Sequence, residues 1–396
     1  MKSRFQLRTG VVTLVVALCL SFDVEARRST GVDVDPNLIT ASDPFDPKYA
    51  NAGANLRNGV GSIFIEFHGI PVGGFICTAT AIDEMHILTA AHCVIEPGDS
   101  VRRIRFVLSA GLAAPMLLDA SAFAVNPLFP ALLPFLGAFA HGDIAVIELA
   151  DPLPPFIDTY ALYTGSDEFG QSARHYGHGR SGVGNKGATG DADFFFARTG
   201  LNKYEQVLEP FLGTGIEDQL LSDFDSGGSK HNAMAWWFST QFRCGPMIPD
   251  NPPQAQDGQC TTFKDGSFPD FKGFGKLEIG VAPGDSGGPA FIDGKIAGVH
   301  SFGFTHFCEG VTNGTDFTCG LDSSYGEMSG DTRVSSYADW IGSVLDGTTA
   351  TTAVPQAPVA EQAMQAASGS ASVPVRARAF ADSVFSGTLR ARAVAP

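Results

Sequence analysis

The chain has 396 residues, a formal net charge of −16 at pH 7, and a high content of glycine (46) and proline (24). That length suffices for one large domain or two smaller ones with a substantial buried core. The negative charge repels the phosphate backbone of nucleic acids and so argues against a nucleic-acid-binding protein. The many turn-forming residues and the short apolar segments favour an all-β protein over a helical bundle.

The first 26 residues have the pattern of an export signal. A positively charged start precedes an apolar stretch at residues 11–20, and Val24 and Ala26 are small residues suited to a cleavage site. The apolar stretch is too short to span a bilayer comfortably, and no later segment is long and apolar enough to do so. We therefore predict a signal peptide at residues 1–26 and a secreted protein, extracellular or periplasmic, without a membrane span.

Residues 27–56 are polar and lack a sustained periodicity, so we interpret them as a pro-segment or an irregular N-terminal arm. Short apolar runs separated by turn residues come next, which is the pattern of successive strands. They occupy residues 62–67, 74–82, 86–89, 104–108 and 144–149. A proline-rich break at residues 152–155 then suggests a link between a first half at about 57–160 and a second half at about 161–334.

The second half contains a phenylalanine run at 194–196, which we interpret as a buried strand, and its last strong strand is predicted at 295–302. Residues 335–345 carry apolar side chains at helical spacing, which predicts a C-terminal helix that packs on the body of the protein. After residue 345 the sequence lacks the large apolar side chains that would offset the entropy of ordering. We expect residues 346–396 to form a flexible, low-complexity tail.

Two segments carry the chemistry of the chain: Leu88-Thr-Ala-Ala-His-Cys93 and Pro283-Gly-Asp-Ser-Gly-Gly-Pro-Ala290. Glycines around Ser286 allow a tight turn that exposes the hydroxyl, and neighbouring N–H groups can then converge on one point. The N–H groups of Gly284 and Ser286 would stabilise an oxyanion there. A glycine-rich turn with an inactive serine is the alternative, but the length of the string and the matching histidine segment favour a catalytic serine.

These segments resemble those of the chymotrypsin/trypsin family of serine endopeptidases, and the resemblance extends from roughly Gly61 to Leu345. The run that begins at Asp143 is similar to the family's aspartate strand, and residues 332–341 are similar to the start of its final helix. The order His, Asp, Ser is also that of this family, unlike that of subtilisins or α/β-hydrolases. The resemblance implies an all-β fold of two six-stranded antiparallel β-barrels of chymotrypsin type with a C-terminal helix, and an active site between the barrels.

The resemblance further implies that His92, Asp143 and Ser286 form a catalytic triad. His92 would take the proton of the serine hydroxyl and return it to the leaving amine, while Asp143 would orient the imidazole. We expect a trypsin-like serine endopeptidase that cleaves protein or peptide substrates through an acyl-enzyme, as a monomer, without a cofactor. A catalytically silent binding protein on the same fold is one alternative, although no triad member is missing. An envelope-attached structural protein, with the tail as its working part, is another.

Alignment with the family places Gly280, six residues before the serine, at the base of the primary substrate pocket, with Ser301, Phe302 and Gly303 along its wall. The backbone of that wall would pair with the substrate as an extra strand. Because no aspartate stands at position 280, a preference for Arg or Lys is not supported. His300 resembles the histidine with which glutamyl endopeptidases hold an acidic side chain. A buried structural histidine is the favoured interpretation, and an uncharged or aromatic preference is equally open.

Six cysteines follow the predicted signal peptide, an even number that predicts disulfides in an exported chain. They are Cys77, Cys93, Cys244, Cys260, Cys308 and Cys319. Fifteen connectivities are possible, and the grouping of the cysteines into three close pairs favours 77–93, 244–260 and 308–319. The first pair brackets the histidine segment as the disulfide of the family does.

The chain departs from the family at the activation site. The family's Ile-Val-Gly-Gly start, whose new ammonium group would pair with Asp285, does not occur upstream of Ser62. A buried carboxylate without a partner is costly, so either another cation supports Asp285 or activation uses another mechanism.

The interval of 143 residues between Asp143 and Ser286 is longer than is typical of the family, which predicts surface loops between about 185 and 274. Its acidic residues lack the spacing of calcium ligands, so we interpret them as a solvated loop and predict no metal site. These residues are Glu217, Asp218, Asp223 and Asp225. His175 and His178 lie in a glycine-rich segment and are interpreted as strand-turn residues rather than zinc ligands.

Overall fold

The computed structural model describes residues 49–70, 74–96, 98–129, 141–193, 195–207, 217–228, 231–237, 271–305, 320–355 and 375–377. The predicted signal peptide, four of the six cysteines (244, 260, 308 and 319) and most of the predicted tail lie outside these residues. None of the helices in this described part of the chain has the length and apolar character that a membrane span requires. The domain boundaries inferred from the sequence stay predictions.

Six strands of the first half close into a barrel. They are β1 (Val60–Phe67), β2 (Gly74–Ala81), β3 (His86–Thr89), β4 (Val101–Leu108), β5 (Met116–Val125) and β6 (Ala145–Leu149). All pair antiparallel in the order β1-β4-β5-β6-β3-β2, and β2 returns to pair with β1. Two short strands add to the outside: β14 (Thr352–Ala353) pairs with β5, and β15 (Val375–Ala377) runs parallel to β2.

Alternation along the strands explains why the barrel forms. In β4, Ile104 and Phe106 point into the barrel and are fully buried. Arg103 and Arg105 alternate with them along the strand and lie on the outer face. These two arginines form ion pairs with Asp119 of the neighbouring strand β5, at 3.1 and 3.2 Å. A period of two residues places apolar side chains in the core and charges in water, and it fixes the register of the strands.

The second half forms an open, seven-stranded half-barrel. Its strands are β7 (Ser172–Gly177), β8 (Arg198–Lys203), β9 (Gln206–Val207), β10 (Gln219–Asp223), β11 (Pro289–Ile292), β12 (Lys295–Phe304) and β13 (Met328–Arg333). They pair antiparallel in the order β8-β7-β11-β12-β13-β10-β9. The chymotrypsin-type fold class is therefore confirmed. The second barrel differs from the expected closed six strands, because no strand pairing in the described residues joins the two edges.

One apolar core connects the two halves. Side chains of the first barrel, such as Ile63 and Phe106, belong to the same buried cluster as Phe291 and Val299 of the half-barrel and Ile341 of the last helix. Because the halves share a core, the cleft between them has fixed walls.

The C-terminal helix is confirmed. Helix α3 (Ala338–Leu345) follows the 3-10 turn Val334–Tyr337, and its Ile341 and Val344 are buried. The other helices are short: α1 (Ala91–Val94), α2 (Ala233–Trp237), and 3-10 turns at Gly53–Asn55 and Gly275–Leu277.

Two expectations for the second half were wrong. The described part of the phenylalanine run, residues 195–196, is not a buried strand, because Phe195 is 56% exposed and strand β8 begins only at Arg198; Phe194 lies outside the described residues. The Asp193 side chain caps the N–H of Phe195 in a tight turn, which replaces strand pairing there. Of the four acidic residues expected in a solvated loop, Glu217 is exposed, but Asp218, Asp223 and Asp225 are buried. Three of the strands, β8 to β10, also lie within the range expected to hold loops.

Candidate active site

His92 and Asp143 form a buried pair. Helix α1 carries His92, and a disulfide between Cys77 and Cys93 attaches this helix to strand β2. The backbone N–H of His92 donates to Asp143 Oδ1 at 2.8 Å, and its Nδ1 hydrogen-bonds Asp143 Oδ2 at 2.7 Å. The hydroxyl of Ser301 donates to Oδ2 as well. These bonds fix the ring so that Nδ1 faces the carboxylate and Nε2 points away from it.

Asp218 fixes the loop that presents Asp143. Its carboxylate binds the Nδ1 of His141, accepts the N–H of Gly142 at 2.9 Å, and accepts the hydroxyl of Tyr337. Gly142 has φ 71°, a conformation that favours glycine. A carboxylate that satisfies three donors in the interior fixes the backbone immediately before Asp143. Asp218 is thus a structural anchor and not part of a solvated loop.

The loop that carries Ser286 rests on the first barrel. The carbonyl of Ser286 accepts the N–H of Thr78 at 2.8 Å. Gly284 and Gly287 have φ 100° and 81°, and a Cβ on Gly287 would lie only 2.0 Å from Thr89 Oγ1. Because Thr89 ends strand β3 just before α1, this contact brings the Ser286 loop against the segment that carries His92.

The N–H groups of this loop divide into two sets. Those of Asp285, Gly287 and Gly288 donate to the carbonyls of Ala282, His300 and Asp285, at 2.8 to 2.9 Å. The N–H groups of Gly284 and Ser286 donate to no acceptor among the described residues. The predicted oxyanion donors are therefore the two that the fold leaves available to a ligand.

The charges of two buried basic residues act on Asp285. The buried carboxylate accepts the N–H groups of Gly179 at 2.6 Å and Ala282 at 2.9 Å. Burial raises its pKa, while the charges of His300 and Arg198 oppose that rise. Arg198 is itself only 2% exposed and donates to the carbonyl of Gly179. Of the two explanations left open by the sequence, the charges of His300 and Arg198 favour an internal cation.

His300 is a buried histidine with both ring nitrogens in use. Nδ1 hydrogen-bonds Asp331 at 2.9 Å, and the ring also hydrogen-bonds the backbone of Tyr176. Burial lowers the pKa of His300, but the charges of Asp331 and Asp285 outweigh that effect and raise it overall. The stacked ring of His175, 5.1 Å away between centroids, has its pKa lowered to about 3 by burial. His300 is thus suited to a second internal cation near Asp285.

The predicted pocket residues do line one pocket. Gly280, His300, Ser301, Phe302 and Gly303 all contribute to it, together with Ser286. Its further lining includes the apolar side chains Phe224, Leu321 and Met328. The carboxylate of Glu327, also in the lining, accepts the N–H groups of Asp322 at 2.7 Å and Ser323 at 2.9 Å.

Sequence reasoning missed Arg198 and Asp218 as parts of this site. Arg198 begins strand β8, and Asp218 immediately precedes strand β10. A charged residue at the end of a strand can indicate a buried polar contact, but its position in the sequence does not identify the distant residue that it contacts. The disulfide 77–93 is present as expected.

A family model and a solved structure are similar to this chain. A family model described as Trypsin matches residues 60–221, a range that includes His92 and Asp143 and ends before Ser286. A solved structure of HL collagenase is similar at a TM-score of 0.44 with 17% identity, over 74% of this chain and 94% of that chain. No curated protein matches the sequence. The Trypsin-family match over residues 60–221 and the barrel-and-half-barrel fold support the chymotrypsin/trypsin-like family.

Proposed function

We propose that this protein is a serine endopeptidase that hydrolyses peptide bonds through an acyl-enzyme. The observation that carries the proposal is the buried pair of His92 and Asp143, joined at 2.7 Å, next to a serine loop with two unused N–H donors. A histidine oriented by a carboxylate can act as the general base that a serine hydroxyl needs at neutral pH.

The proposed reaction uses His92, Ser286 and the two N–H donors in turn. His92 Nε2 takes the proton from Ser286 Oγ as the oxygen attacks the substrate carbonyl carbon. The N–H groups of Gly284 and Ser286 stabilise the negative oxygen of the tetrahedral intermediate. His92 then gives its proton to the leaving amine, and an ester on Ser286 remains. Water, deprotonated by His92, attacks that ester and releases the acid and the free serine.

We assign the pocket a preference for an uncharged, apolar side chain before the cleaved bond. Phe224, Phe302 and Met328 give the lining its apolar character. Both ring nitrogens of His300 are bonded within the protein, so neither is available for the carboxylate of a glutamate. The backbone of Ser301 to Gly303 pairs with the substrate as an added strand.

Export belongs to the same proposal. The disulfide between Cys77 and Cys93 fits an oxidising compartment, as does the signal pattern at residues 1–26. The mature protein then acts as a monomer on proteins outside the cytoplasm, extracellular or periplasmic, without a cofactor and without binding nucleic acid.

Cleavage of a mixed peptide library tests the proposal. Ser286→Ala should lower kcat/KM by at least about ten-thousandfold, and a fluorophosphonate should label the wild type but not the variant. Ser336→Ala, which removes an exposed hydroxyl bonded to the carbonyl of Glu217, is the matched control and should leave both readouts unchanged. A folded wild type that neither cleaves nor labels would favour the silent binding protein instead.

A further inference from the structure

Four carboxylates meet in the interior of the half-barrel, away from His92 and Asp143. We call them the acidic cluster: Glu205, Asp223, Asp225 and Glu278. None is more than 1% exposed. Glu205 lies between strands β8 and β9, while Asp223 ends strand β10 and Glu278 follows a 3-10 turn. They come from separate segments, so the fold itself assembles the cluster.

The spacing of the oxygens fits one ion. Ligand atoms of Glu205, Asp223 and Asp225 all lie within 4.8 Å of one another. Calcium binds oxygens at about 2.3–2.6 Å, so two ligands on opposite sides of the ion are about 4.6–5.2 Å apart. A single calcium ion between these three side chains can therefore touch all of them.

Several of the oxygens lack a donor. Both oxygens of Glu205, Oδ1 of Asp223 and Oε1 of Glu278 are buried and accept no hydrogen bond among the described residues. The remaining oxygens of the last two are anchored, since Asp223 Oδ2 accepts the N–H of Met234 at 2.6 Å and Glu278 Oε2 that of Phe274 at 2.5 Å. Each of these two carboxylates thus has one oxygen held by the backbone and one left for a ligand.

Charge adds a second reason. The carboxylates of Glu205 and Asp223 lie within hydrogen-bonding reach of each other, an arrangement that is attractive only when a proton or a cation is shared. Asp223 and Glu278 repel the charge of Glu205, and burial removes the water that would screen this repulsion. Lys203 opposes this only weakly, and its ammonium group lies 4.8 Å above the ring of Phe271. Among the described residues, the cluster thus sets four acidic groups against one basic group with a weak influence.

We infer that the acidic cluster binds a calcium ion that holds the wall of the substrate pocket in place. Phe224, which lines the pocket, stands between two members of the cluster, and Gly280 follows Glu278 by two residues. The amide of Asn202 already links these two segments, because it donates to the carbonyls of Asp223 and Ile279 at 2.8 Å each. An ion in the cluster joins the same segments through their side chains. The binding site depends only on the cluster, whereas its effect on substrate rests on the proposed function.

Calcium binding is tested on full-length protein that has been treated with a chelator and dialysed. Titration calorimetry with CaCl₂ should show one site per chain, and 1 mM CaCl₂ should raise Tm by about 5 °C. The Ser286→Ala protein should respond in the same way, so the result does not depend on hydrolysis. Absence of binding heat together with an unchanged Tm would overturn the inference. Equal stabilisation by MgCl₂ would overturn it too, since it would reflect general charge screening.

Variants locate the site. Glu205→Gln keeps the size of the side chain and removes one charge, and it should weaken calcium binding by at least about tenfold. Glu217→Gln is the matched control, because that side chain is 66% exposed and outside the cluster, and it should bind calcium as the wild type does. Wild-type affinity in Glu205→Gln would contradict the assignment. If this variant does not fold, Asp225→Asn replaces it under the same criterion.

The link to the pocket has its own readout. Removal of calcium from the active protein should raise KM for a peptide substrate about tenfold and change kcat by less than about twofold, since the ion acts on the pocket wall. A protein that binds calcium with an unchanged KM would retain the metal site but lose its link to the pocket.

Discussion

The half-barrel contains two buried acidic centres that are neutralised in different ways. Around Asp285 and Asp331 the chain supplies its own cations, Arg198 and His300. In the acidic cluster, by contrast, four carboxylates share the weak influence of Lys203. The comparison separates a serine loop that lies near basic residues of the chain itself from a pocket wall for which we propose a cation taken from solution.

The largest effect should come from Arg198→Met, which removes the internal cation beside Asp285. A buried charge left without its partner costs about 3–5 kcal/mol, and we expect the free energy of unfolding to fall by that amount. Activity should fall at least about a hundredfold, because the Ser286 loop loses its support. Urea unfolding and kcat/KM measure the two effects. The double variant Arg198→Met/Asp285→Asn should recover most of the stability, and a purely additive loss would contradict the pairing.

His300→Gln sharpens the comparison through pH. The pKa of His300 is raised in the folded protein, so its ion pairs stabilise the fold fully below about pH 6.5 and stop doing so as pH rises through the raised pKa. Below that pH, we expect the free energy of unfolding of the wild type to exceed that of His300→Gln by about 1.5–3 kcal/mol. The groups that face the ring are His175, Asp331 and Asp285. The free energies of unfolding of wild type and His300→Gln should converge as pH rises from about 6 to about 10. A constant difference between them would argue against a charged His300.

Asp218→Asn tests a carboxylate that is neutralised by hydrogen bonds instead of by a formal cation pair. The amide cannot accept all three bonds from His141, Gly142 and Tyr337, so we expect a loss of about 1–2 kcal/mol in stability. kcat should fall about tenfold with KM nearly unchanged, because the loop before Asp143 shifts. Glu217→Gln, one residue away and exposed, is the control and should change neither constant.

The smallest effect should come from Arg105→Ala on the outer face of the first barrel. Its partner Asp119 is partly exposed and keeps a second ion pair with Arg103. Because solvent screens such pairs, we expect the free energy of unfolding to fall by less than about 1 kcal/mol, as measured by thermal or urea unfolding. A loss as large as that of Arg198→Met would show that exposure does not distinguish the two kinds of carboxylate.

The sequence contained the parts of the site that are written in short segments. The residues around Ser286 predict a glycine-rich turn, because the glycines that form it are its neighbours in the sequence. The segment of His92 includes Cys93, and the short interval between Cys77 and Cys93 favours a disulfide. The disulfide 77–93 and the C-terminal helix were likewise local predictions, and both are present.

What could not be predicted depends on contacts between distant segments. His141 and Asp218 are 77 residues apart in the chain, and no local pattern states that they touch. Asp223 ends a polar-looking segment, so a solvated loop was a reasonable interpretation, yet strand pairing carries it into the interior. The prediction of a strand at the phenylalanine run was wrong for the opposite reason. A local turn, in which Asp193 accepts the N–H of Phe195, outweighed the strand preference of the aromatic residues.

The hydrogen bond from Thr78 to the carbonyl of Ser286 has a consequence for how the protein is made. Thr78 belongs to the first barrel, and Ser286 to a segment synthesised more than two hundred residues later. The Ser286 loop can therefore pack against Thr78 only after the half-barrel, which is synthesised last, has docked on the first barrel. An unfinished chain therefore contains His92 and Asp143 but not the Ser286 loop that packs against their barrel.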